Sequence, residues 1–299
     1  MIIKLNKKVL ILGTVASLLL LYFCFVSFGL KERIPLALQG NTPIPLYVAA
    51  RLDTLWNYVY TMQYKCKKSE YLGGDPKMKN DGAYDLCTEE KFWPLSTNKD
   101  YKCLMYSFGV GFDFSFDDEI ARKGCEVHSF DPSMPYEDGM HRASGLTFHK
   151  TGISDADLDR DANGWKMRTL RTILKEMQHS GRYLDYLKVD TDAPGNRGGF
   201  EDVLLQELLD TGLHKCVRQF AMEIHLAGPL SKPKWADRVD RIYRQLLGLR
   251  DAGWKIYNTT DNIRWNYDVG YTQLMGKKKI LNGDGIVLWE VAMVNTADV

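Results

Sequence analysis

The sequence lacks three features that would assign it at once to a familiar class of protein. It has no excess of positive charge, because 39 Lys and Arg side chains are balanced by 38 Asp and Glu, and we therefore expect no nucleic-acid partner. Its six cysteines show no spacing typical of a zinc site, so we predict no metal ligands. No segment of the chain repeats, which excludes a repeat architecture.

Long apolar runs are also scarce, and the clearest one lies near the N-terminus. Residues 9–30 carry no charged side chain and are numerous enough to cross a hydrocarbon core about 30 Å thick. Lys7 and Lys8 precede this run, and the positive-inside rule places them in the cytosol. We predict a cytosolic tail at 1–8, a transmembrane anchor at 9–30, and a single-pass type II membrane protein with its domain in the endoplasmic reticulum or Golgi lumen. A cleaved signal peptide is the alternative, and it would give a secreted protein.

The cysteines beyond the anchor are compatible with an oxidising compartment. They are Cys66, Cys87, Cys103, Cys125 and Cys216, and their pairing cannot be read from their spacing. Cys103 and Cys125 flank two predicted strands, and we expect them as packed core thiols. Asn258 opens an N-glycosylation sequon, from which we predict a glycoprotein.

Beyond the anchor, the chain divides into a stem region and a larger domain. Residues 31–95 begin with a proline-bearing stretch, and Leu52 and Val59 then belong to a helical repeat of apolar residues, which predicts a stem and a capping helix. Residues 64–94 are polar and rich in glycine and lysine, so we predict a loop there. From 96 to 299, strand-like runs alternate with amphipathic helices, which predicts one α/β domain with a mostly parallel sheet.

Residues 103–134 carry the strongest functional pattern. An apolar run leads into a turn that contains Gly109 and Gly111, a helix-like segment follows, and a second apolar run ends at Asp131. This order is typical of a nucleotide-binding half-fold, in which small residues admit the ligand and the acid binds the hydroxyls of a ribose. We therefore predict a ribose-containing cofactor.

The residues beside the turn indicate which cofactor this is. A dinucleotide site has a third small residue where Phe114 stands, and Asp113 adds a negative charge next to the turn. A carboxylate would repel a pyrophosphate but would suit a cation. S-adenosylmethionine has no phosphate and carries a sulfonium and an ammonium group, so we predict it as the cofactor in place of NAD.

Two adjacent segments, SFGVGFDFSFD and GCEVHSFDPSM, resemble the methyltransferase domain of the methyltransferase-like protein 24 family, which is similar to the FkbM-type sugar O-methyltransferases. Later segments resemble the strands of that family in the same order: GLTFHKTGISDAD, YLKVDTDAPG, VRQFAMEIHL and VLWEVAMVN. The resemblance implies an α/β, Rossmann-like class I methyltransferase fold with a mostly parallel seven-stranded sheet and an antiparallel last strand. It also implies an S-adenosylmethionine-dependent transferase that methylates a hydroxyl group of a small molecule or a glycan.

The predicted site follows from the resemblance and from the strand ends. The residues predicted to bind the cofactor are Ser107, Gly109, Gly111, Asp131, Gly152, Ile153 and Asp190. Because the carboxyl ends of parallel strands meet at one edge of a sheet, His225, Asp192 and Glu223 should join them. Methylation of a hydroxyl needs a base, and His225 is the first candidate because its ordinary pKa lies near neutrality. Asp192 and Glu223 are the other two candidates for this catalytic role.

Two departures from the family pattern keep rival functions open. Ser107 replaces the usual acid at the end of the first strand, which would fit a methyltransferase fold that has become a catalytically dead binding protein. Asp190 and Asp192 replace the family's D-x-E-G with a D-x-D, the pattern that lumenal glycosyltransferases use to hold Mn²⁺ and a nucleotide sugar.

The connection 259–285 has no strong periodicity but is rich in aromatic and amide side chains. Asn262 and Trp265 lie within it, and long connections in compact domains are often functional. We predict that this connection helps to form the acceptor pocket.

Overall fold

The computed structural model describes residues 46–75, 81–192, 199–226, 233–262 and 288–297. The predicted cytosolic tail, the anchor at 9–30 and the proline-bearing part of the stem at 31–45 lie outside these ranges. Within them, no helix combines the length and the apolar character needed to cross a membrane.

In chain order, the described residues form helix α1 (Leu46–Val59), strands β1 (Ser69–Gly73), β2 (Ala83–Cys87) and β3 (Leu104–Phe108), helix α2 (Ser115–Arg122), strands β4 (Glu126–Phe130), β5 (Thr147–His149), β6 (Gly152–Ile153) and β7 (Met167–Arg168), helix α3 (Leu170–Glu176), strand β8 (Tyr186–Val189), helix α4 (Glu201–Thr211), strand β9 (Gln219–His225), helix α5 (Pro233–Asp251), and strands β10 (Trp254–Asp261) and β11 (Leu288–Asn295). Short 3-10 turns lie at Pro94–Ser96 and Leu213–Cys216.

A seven-stranded sheet organises these elements. Its strand order is β10-β11-β9-β8-β3-β4-β5. The strands from β9 to β5 run parallel to one another, whereas β11 pairs antiparallel with both β9 and β10. The predicted mostly parallel sheet with an antiparallel last strand is therefore confirmed. Alternate residues of each strand face opposite sides of the sheet, so each side packs against its own layer of helices or strands.

Four helices, α1, α3, α4 and α5, cover one face of the sheet. In α5, Val239, Ile242 and Leu246 recur every three or four residues and are fully buried. They join a core that also contains Leu55 and Val59 of α1, together with apolar residues of α3, α4 and the sheet. The helix predicted from the spacing of these α1 residues is thus present and packed against the domain.

The other face is covered by α2 and by a hairpin of β1 and β2, where a loop was predicted over 64–94. Strands β1 and β2 pair antiparallel. Leu72 of β1 and Leu86 of β2 are buried in one core cluster with residues of α2. The prediction of a loop was wrong because these strands are short and stabilise each other through backbone pairing, which leaves little apolar periodicity in the sequence.

Two disulfide bonds cross-link the chain, one in this second layer and one at the centre of the sheet. Cys66 bonds to Cys87 at the hairpin, and Cys103 bonds to Cys125 across the starts of β3 and β4. The expectation that the latter pair are packed thiols was wrong. The two residues enter neighbouring strands with their Cα atoms 4.7 Å apart, which is within the range of a disulfide. Cys216 is the free cysteine of the described chain.

Asn258, the residue of the predicted glycosylation site, lies within β10. Its side-chain amide donates a hydrogen bond of 2.6 Å to Asp85. The nitrogen that would carry a glycan thus has a hydrogen-bond partner in the folded domain, and glycosylation at Asn258 stays a prediction.

Removal of the central disulfide tests its contribution to stability. The double variant Cys103→Ala, Cys125→Ala should lose about 3 kcal/mol of unfolding free energy, because the bond closes a loop with a sequence separation of 22 residues. Urea denaturation of the full-length chain measures the difference, and Cys216→Ala serves as the control, with an expected change of less than about 1 kcal/mol. A double variant as stable as the wild type would contradict the assigned bond.

Candidate functional site

A cavity of about 710 Å³ opens at the carboxyl ends of β3, β4, β8 and β9. This is the edge at which open α/β sheets bind ligands, and the volume suits a small-molecule cofactor. Most of the residues predicted for the site line the cavity: Gly109, Gly111, Asp131, Gly152, Ile153, Asp190, Asp192 and Glu223. Ser107 and His225 do not line it and lie behind its wall.

The two glycines of the turn have different structural roles. Gly109 has a φ of +77°, and a Cβ there would lie 1.7 Å from the carbonyl oxygen of Asp190. Only glycine fits at this contact, which joins the turn to the end of β8. Gly111 also has a positive φ, but a Cβ at its position would meet no atom within 4 Å. This second glycine therefore leaves backbone open toward the cavity.

Asp131 ties the glycine turn to the end of β4. One carboxylate oxygen accepts hydrogen bonds from the backbone N–H groups of Val110 and Gly111, at 3.1 and 3.0 Å. The other accepts from the backbone N–H and the hydroxyl of Ser133, at 2.9 and 2.6 Å. A carboxylate offers about four acceptor positions, and only the Ser133 hydroxyl can rotate away. A ribose hydroxyl would therefore replace this hydroxyl and would leave the turn intact.

Ser107 is buried, is not among the residues that line the cavity, and lies beside Asp117 of α2. Burial raises the pKa of Asp117, although Lys188 and a 2.6 Å hydrogen bond from Ser129 oppose this shift. Asp117 lines the cavity, so a carboxyl group reaches this wall from the helix after the turn. The sequence-based reasoning missed this residue, whose signal is an acid among the buried positions of a short amphipathic helix.

Lys188 supplies positive charge to the floor of the cavity. Its ammonium group donates to the carbonyl oxygen of Gly109 at 2.5 Å and lies 3.6 Å from a carboxylate oxygen of Asp190. Tyr84 of the hairpin donates to the same carboxylate at 2.7 Å. Burial would raise the pKa of Asp190, yet the charges of Lys188 and His225 bring it below its usual value. Asp190 is therefore ionised at neutral pH.

His225 is buried between carboxylates. Its Nδ1 contacts Glu201 of α4, and its Nε2 lies 3.0 Å from Glu223 and 3.3 Å from Asp192. Burial alone would lower the pKa of His225, but the carboxylates of Glu201 and Glu223 raise it well above its usual value. The ring is thus a cation at neutral pH, and both of its nitrogens are engaged.

A buried arginine completes this arrangement of charges. Arg238 of α5 donates to Glu201 at 2.5 Å and to Asp202 at 2.6 Å. Alternating charges therefore run from Asp202 through Arg238, Glu201 and His225 to the cavity. Glu201 and Arg238 could not be identified from the sequence, because neither belongs to a motif and their helices meet only in the folded chain.

Glu223 is the carboxyl group at the cavity end of this chain of charges. Burial and the nearby Asp190 raise the pKa of Glu223 from 4.5 to about 8, although His225 opposes the shift. Asn262, which lies in the connection predicted to form the acceptor pocket, donates to Glu223 at 2.6 Å. The rest of that connection, including Trp265, lies outside the described residues.

The D-x-D pair does not form a compact metal site. Asp190 faces Lys188 and Tyr84, whereas the side chain of Asp192 is 75% exposed. The His225 Nε2 lies 3.8 Å from Asp190 and 3.3 Å from Asp192. Asp190, Glu223 and His225 offer metal-ligand atoms at short range, but both nitrogens of His225 contact glutamates, so an ion would have to displace a proton and break one of these contacts. This arrangement does not favour the metal-dependent glycosyltransferase alternative.

Comparison with known proteins places this chain among methyltransferases. Residues 38–273 match a family described as a methyltransferase domain. Probable methyltransferase-like protein 24 of Homo sapiens is 26% identical over 80% of this chain and 63% of its own length. The protein of that name from Rattus norvegicus is 27% identical over 80% of this chain and 64% of its own length. The family predicted from the sequence is confirmed, and the match spans slightly less than two thirds of these relatives.

Among solved structures, the 16S rRNA methyltransferase KamB aligns with a TM-score of 0.33 and 11% sequence identity. The alignment covers 79% of this chain and 100% of KamB.

Substitutions at Asp131 and Ser133 test the assignment of Asp131 as the acid that binds the ribose. Asp131→Ala should weaken binding of S-adenosylmethionine by about 10- to 100-fold, because a hydrogen bond from a ribose hydroxyl to a carboxylate contributes about 1.5–3 kcal/mol. Ser133→Ala removes only the hydroxyl that the cofactor would replace, so its affinity should stay within about 3-fold of wild type. Calorimetric titration measures both. Equal losses in the two variants, or no loss in Asp131→Ala, would contradict the assignment.

Proposed function

This chain belongs to the methyltransferase domain family, and we propose that it transfers a methyl group from S-adenosylmethionine to a hydroxyl group of a small-molecule or glycan acceptor. One observation carries the proposal: the same cavity contains an acid placed to bind a ribose and a carboxyl group able to exchange a proton near neutral pH. Asp131 is the first of these groups and Glu223 is the second.

The charge of the cavity supports a cationic cofactor. Among the described residues, eight acidic side chains and one lysine line it. Carboxylates attract a sulfonium and an ammonium group and repel a diphosphate. Asp131 would bind the ribose, the backbone at Gly111 would allow close approach, and Gly152 and Ile153 would border the adenine. When bound, S-adenosylmethionine would supply an electrophilic methyl group.

Glu223 is the group that we assign as the general base. Its carboxylate takes the proton of the acceptor hydroxyl as that oxygen becomes the nucleophile. A pKa of about 8 makes it a stronger base than an ordinary carboxylate, and about a tenth of the groups are ionised at pH 7. Proton removal and positioning are the two contributions that methylation of an alcohol requires of a protein.

His225, the first candidate from the sequence, receives a positioning role in this proposal. Its protonated ring contacts Glu223 on one side and Glu201 on the other, so it has no free nitrogen with which to accept a proton. It fixes the orientation of Glu223 and limits the rise of its pKa. Asp192, the remaining candidate, is largely exposed and would contact the acceptor from the rim of the cavity.

Aromatic side chains at the cavity support a sugar or another ring-bearing acceptor. Phe112 follows the second glycine of the turn, lines the cavity and is 78% exposed. Trp165 lines the cavity near Gly152. Aromatic faces pack against the apolar faces of sugar rings, and carboxylates accept hydrogen bonds from sugar hydroxyls.

We also propose that the domain works in the lumen of the secretory pathway, anchored by residues 9–30. The two disulfides support this setting, because such bonds persist in oxidising compartments and are rare in the cytosol.

A methyl-transfer assay with Glu223→Gln tests the function. With S-adenosylmethionine labelled on the methyl group and a panel of mono- and oligosaccharides, the wild type should yield base-stable methyl ethers. Glu223→Gln should lower kcat by about 100-fold to 10,000-fold, the usual contribution of a general base. The wild-type rate should rise with pH and reach half of its maximum at a pH of about 8, because Glu223 must lose its proton to act, and this rise should vanish in the variant.

Glu290→Gln is the matched control for this assay. Glu290 lies opposite Glu223 on β11, and burial and the neighbouring Glu223 raise its pKa well above the usual value. Because it is already protonated near neutral pH, the amide should leave kcat nearly unchanged. Cofactor binding without methyl transfer to any hydroxyl acceptor, or full activity in Glu223→Gln, would overturn the proposal.

A further inference from the structure

A second cluster of polar side chains lies at the edge of the sheet, away from the cavity. Glu126 and His128 belong to β4, His149 ends β5, and His179 follows α3. His128 and His149 stack with their ring centroids 5.1 Å apart. None of these residues lines the cavity described above, and the proposed methyl transfer does not use them.

Three potential metal-ligand atoms converge in this cluster. One oxygen of Glu126, Oε1, lies 3.1 Å from the Nε2 of His128 and 3.2 Å from the Nε2 of His179. The three atoms all lie within 4.8 Å of one another. In a tetrahedral zinc site with bonds of about 2.0–2.1 Å, neighbouring ligand atoms are about 3.3 Å apart. The two shorter separations already match this spacing, so little rearrangement would be needed to admit an ion.

The opposite nitrogen of each ring has a hydrogen-bond partner that would orient a ligand. The Nδ1 of His179 lies 2.7 Å from the hydroxyl of the buried Tyr106. The Nδ1 of His128 lies 2.8 Å from the Nε2 of His149. Metal-binding histidines almost always bond through their second nitrogen in this way, which holds the tautomer and the ring direction.

The charge around Glu126 is compatible with a dication. Arg182 donates to its other oxygen, Oε2, at 2.8 Å and also reaches the carbonyl oxygen of Lys102. This cation reduces the attraction for a metal, but it holds Oε1 toward the two rings. The side chain of Glu126 is 45% exposed, so an ion could enter from solvent and a water could fill the fourth position.

We propose that Glu126, His128 and His179 form a site for a borderline transition-metal dication such as Zn²⁺. Two imidazoles and one carboxylate are a donor set that zinc uses commonly. The ion would connect β4 to the segment after α3. In the structure, these two segments are already connected by the contacts of Glu126 with His179 and Arg182. This site departs from the sequence-based expectation of no metal ligands, because its residues come from separate segments and show no motif spacing.

Cobalt substitution in the full-length chain tests the site directly. One equivalent of Co²⁺ should produce the visible absorption bands of a tetrahedral ion, and Zn²⁺ should remove them by displacement. Glu126→Gln and His179→Asn should each weaken Co²⁺ affinity by about 100-fold, since each removes one of three protein ligands. Glu126 is half-exposed, so its amide variant should fold as the wild type does.

Two control variants locate the ion. His141→Ala should keep the bands, because His141 is an exposed histidine at the same edge whose ring bonds to Thr147 instead. Glu223→Gln should also keep them, since it alters only the cavity cluster. Zn²⁺ should raise the melting temperature of the wild type but not that of Glu126→Gln. Absence of tetrahedral bands in the wild type, or bands lost in Glu223→Gln and kept in Glu126→Gln, would overturn the proposal.

Discussion

Charge buried at the carboxyl edge of the sheet has to be compensated, and the contacts that compensate it hold the candidate site together. His225 lies between Glu201 and Glu223, and Arg238 binds the far side of Glu201. Removing one member of such a set leaves an unpaired buried charge, at a cost of about 3–5 kcal/mol. Helices α4 and α5 are thereby fastened to β9. The same contacts fix Glu223 at the cavity, so the stability of the domain and the position of its proposed base depend on one arrangement.

Buried charge also has to be compensated beside the glycine turn, on the other side of the cavity. Ser107 stands where the family resemblance leads us to expect an acid, yet several carboxyl groups line the cavity, and Asp117 reaches it from α2. Lys188 offsets part of this charge and also bonds to the carbonyl oxygen of Gly109. The missing acid at Ser107 of β3 is therefore accompanied by a carboxyl group nearby, that of Asp117 in α2. The departure alone is a weak reason to regard the domain as catalytically dead.

The parts of the fold that could be predicted from the sequence are those with a local signature. The spacing of Gly109, Gly111 and Asp131 indicated the turn and its acid, and apolar periodicity indicated α1. The hairpin of β1 and β2 was missed because its strands are short and pair mainly with each other. The partners Glu201 and Arg238 could not be predicted, because a buried ion pair between two helices leaves no spacing in the chain. His225 was placed correctly at the strand end, but its charge depends on those partners.

Equilibrium titration of the full-length chain with S-adenosylmethionine, and separately with a UDP-sugar and Mn²⁺, distinguishes a methyltransferase site from a metal-dependent nucleotide-sugar site. We expect saturable binding of S-adenosylmethionine without added metal, because the acidic cavity favours a cation and offers Asp131 to a ribose. We expect no metal-dependent binding of the UDP-sugar. Binding of the UDP-sugar in the presence of Mn²⁺, with no binding of S-adenosylmethionine, would contradict the account and return the chemistry to Asp190 and Asp192.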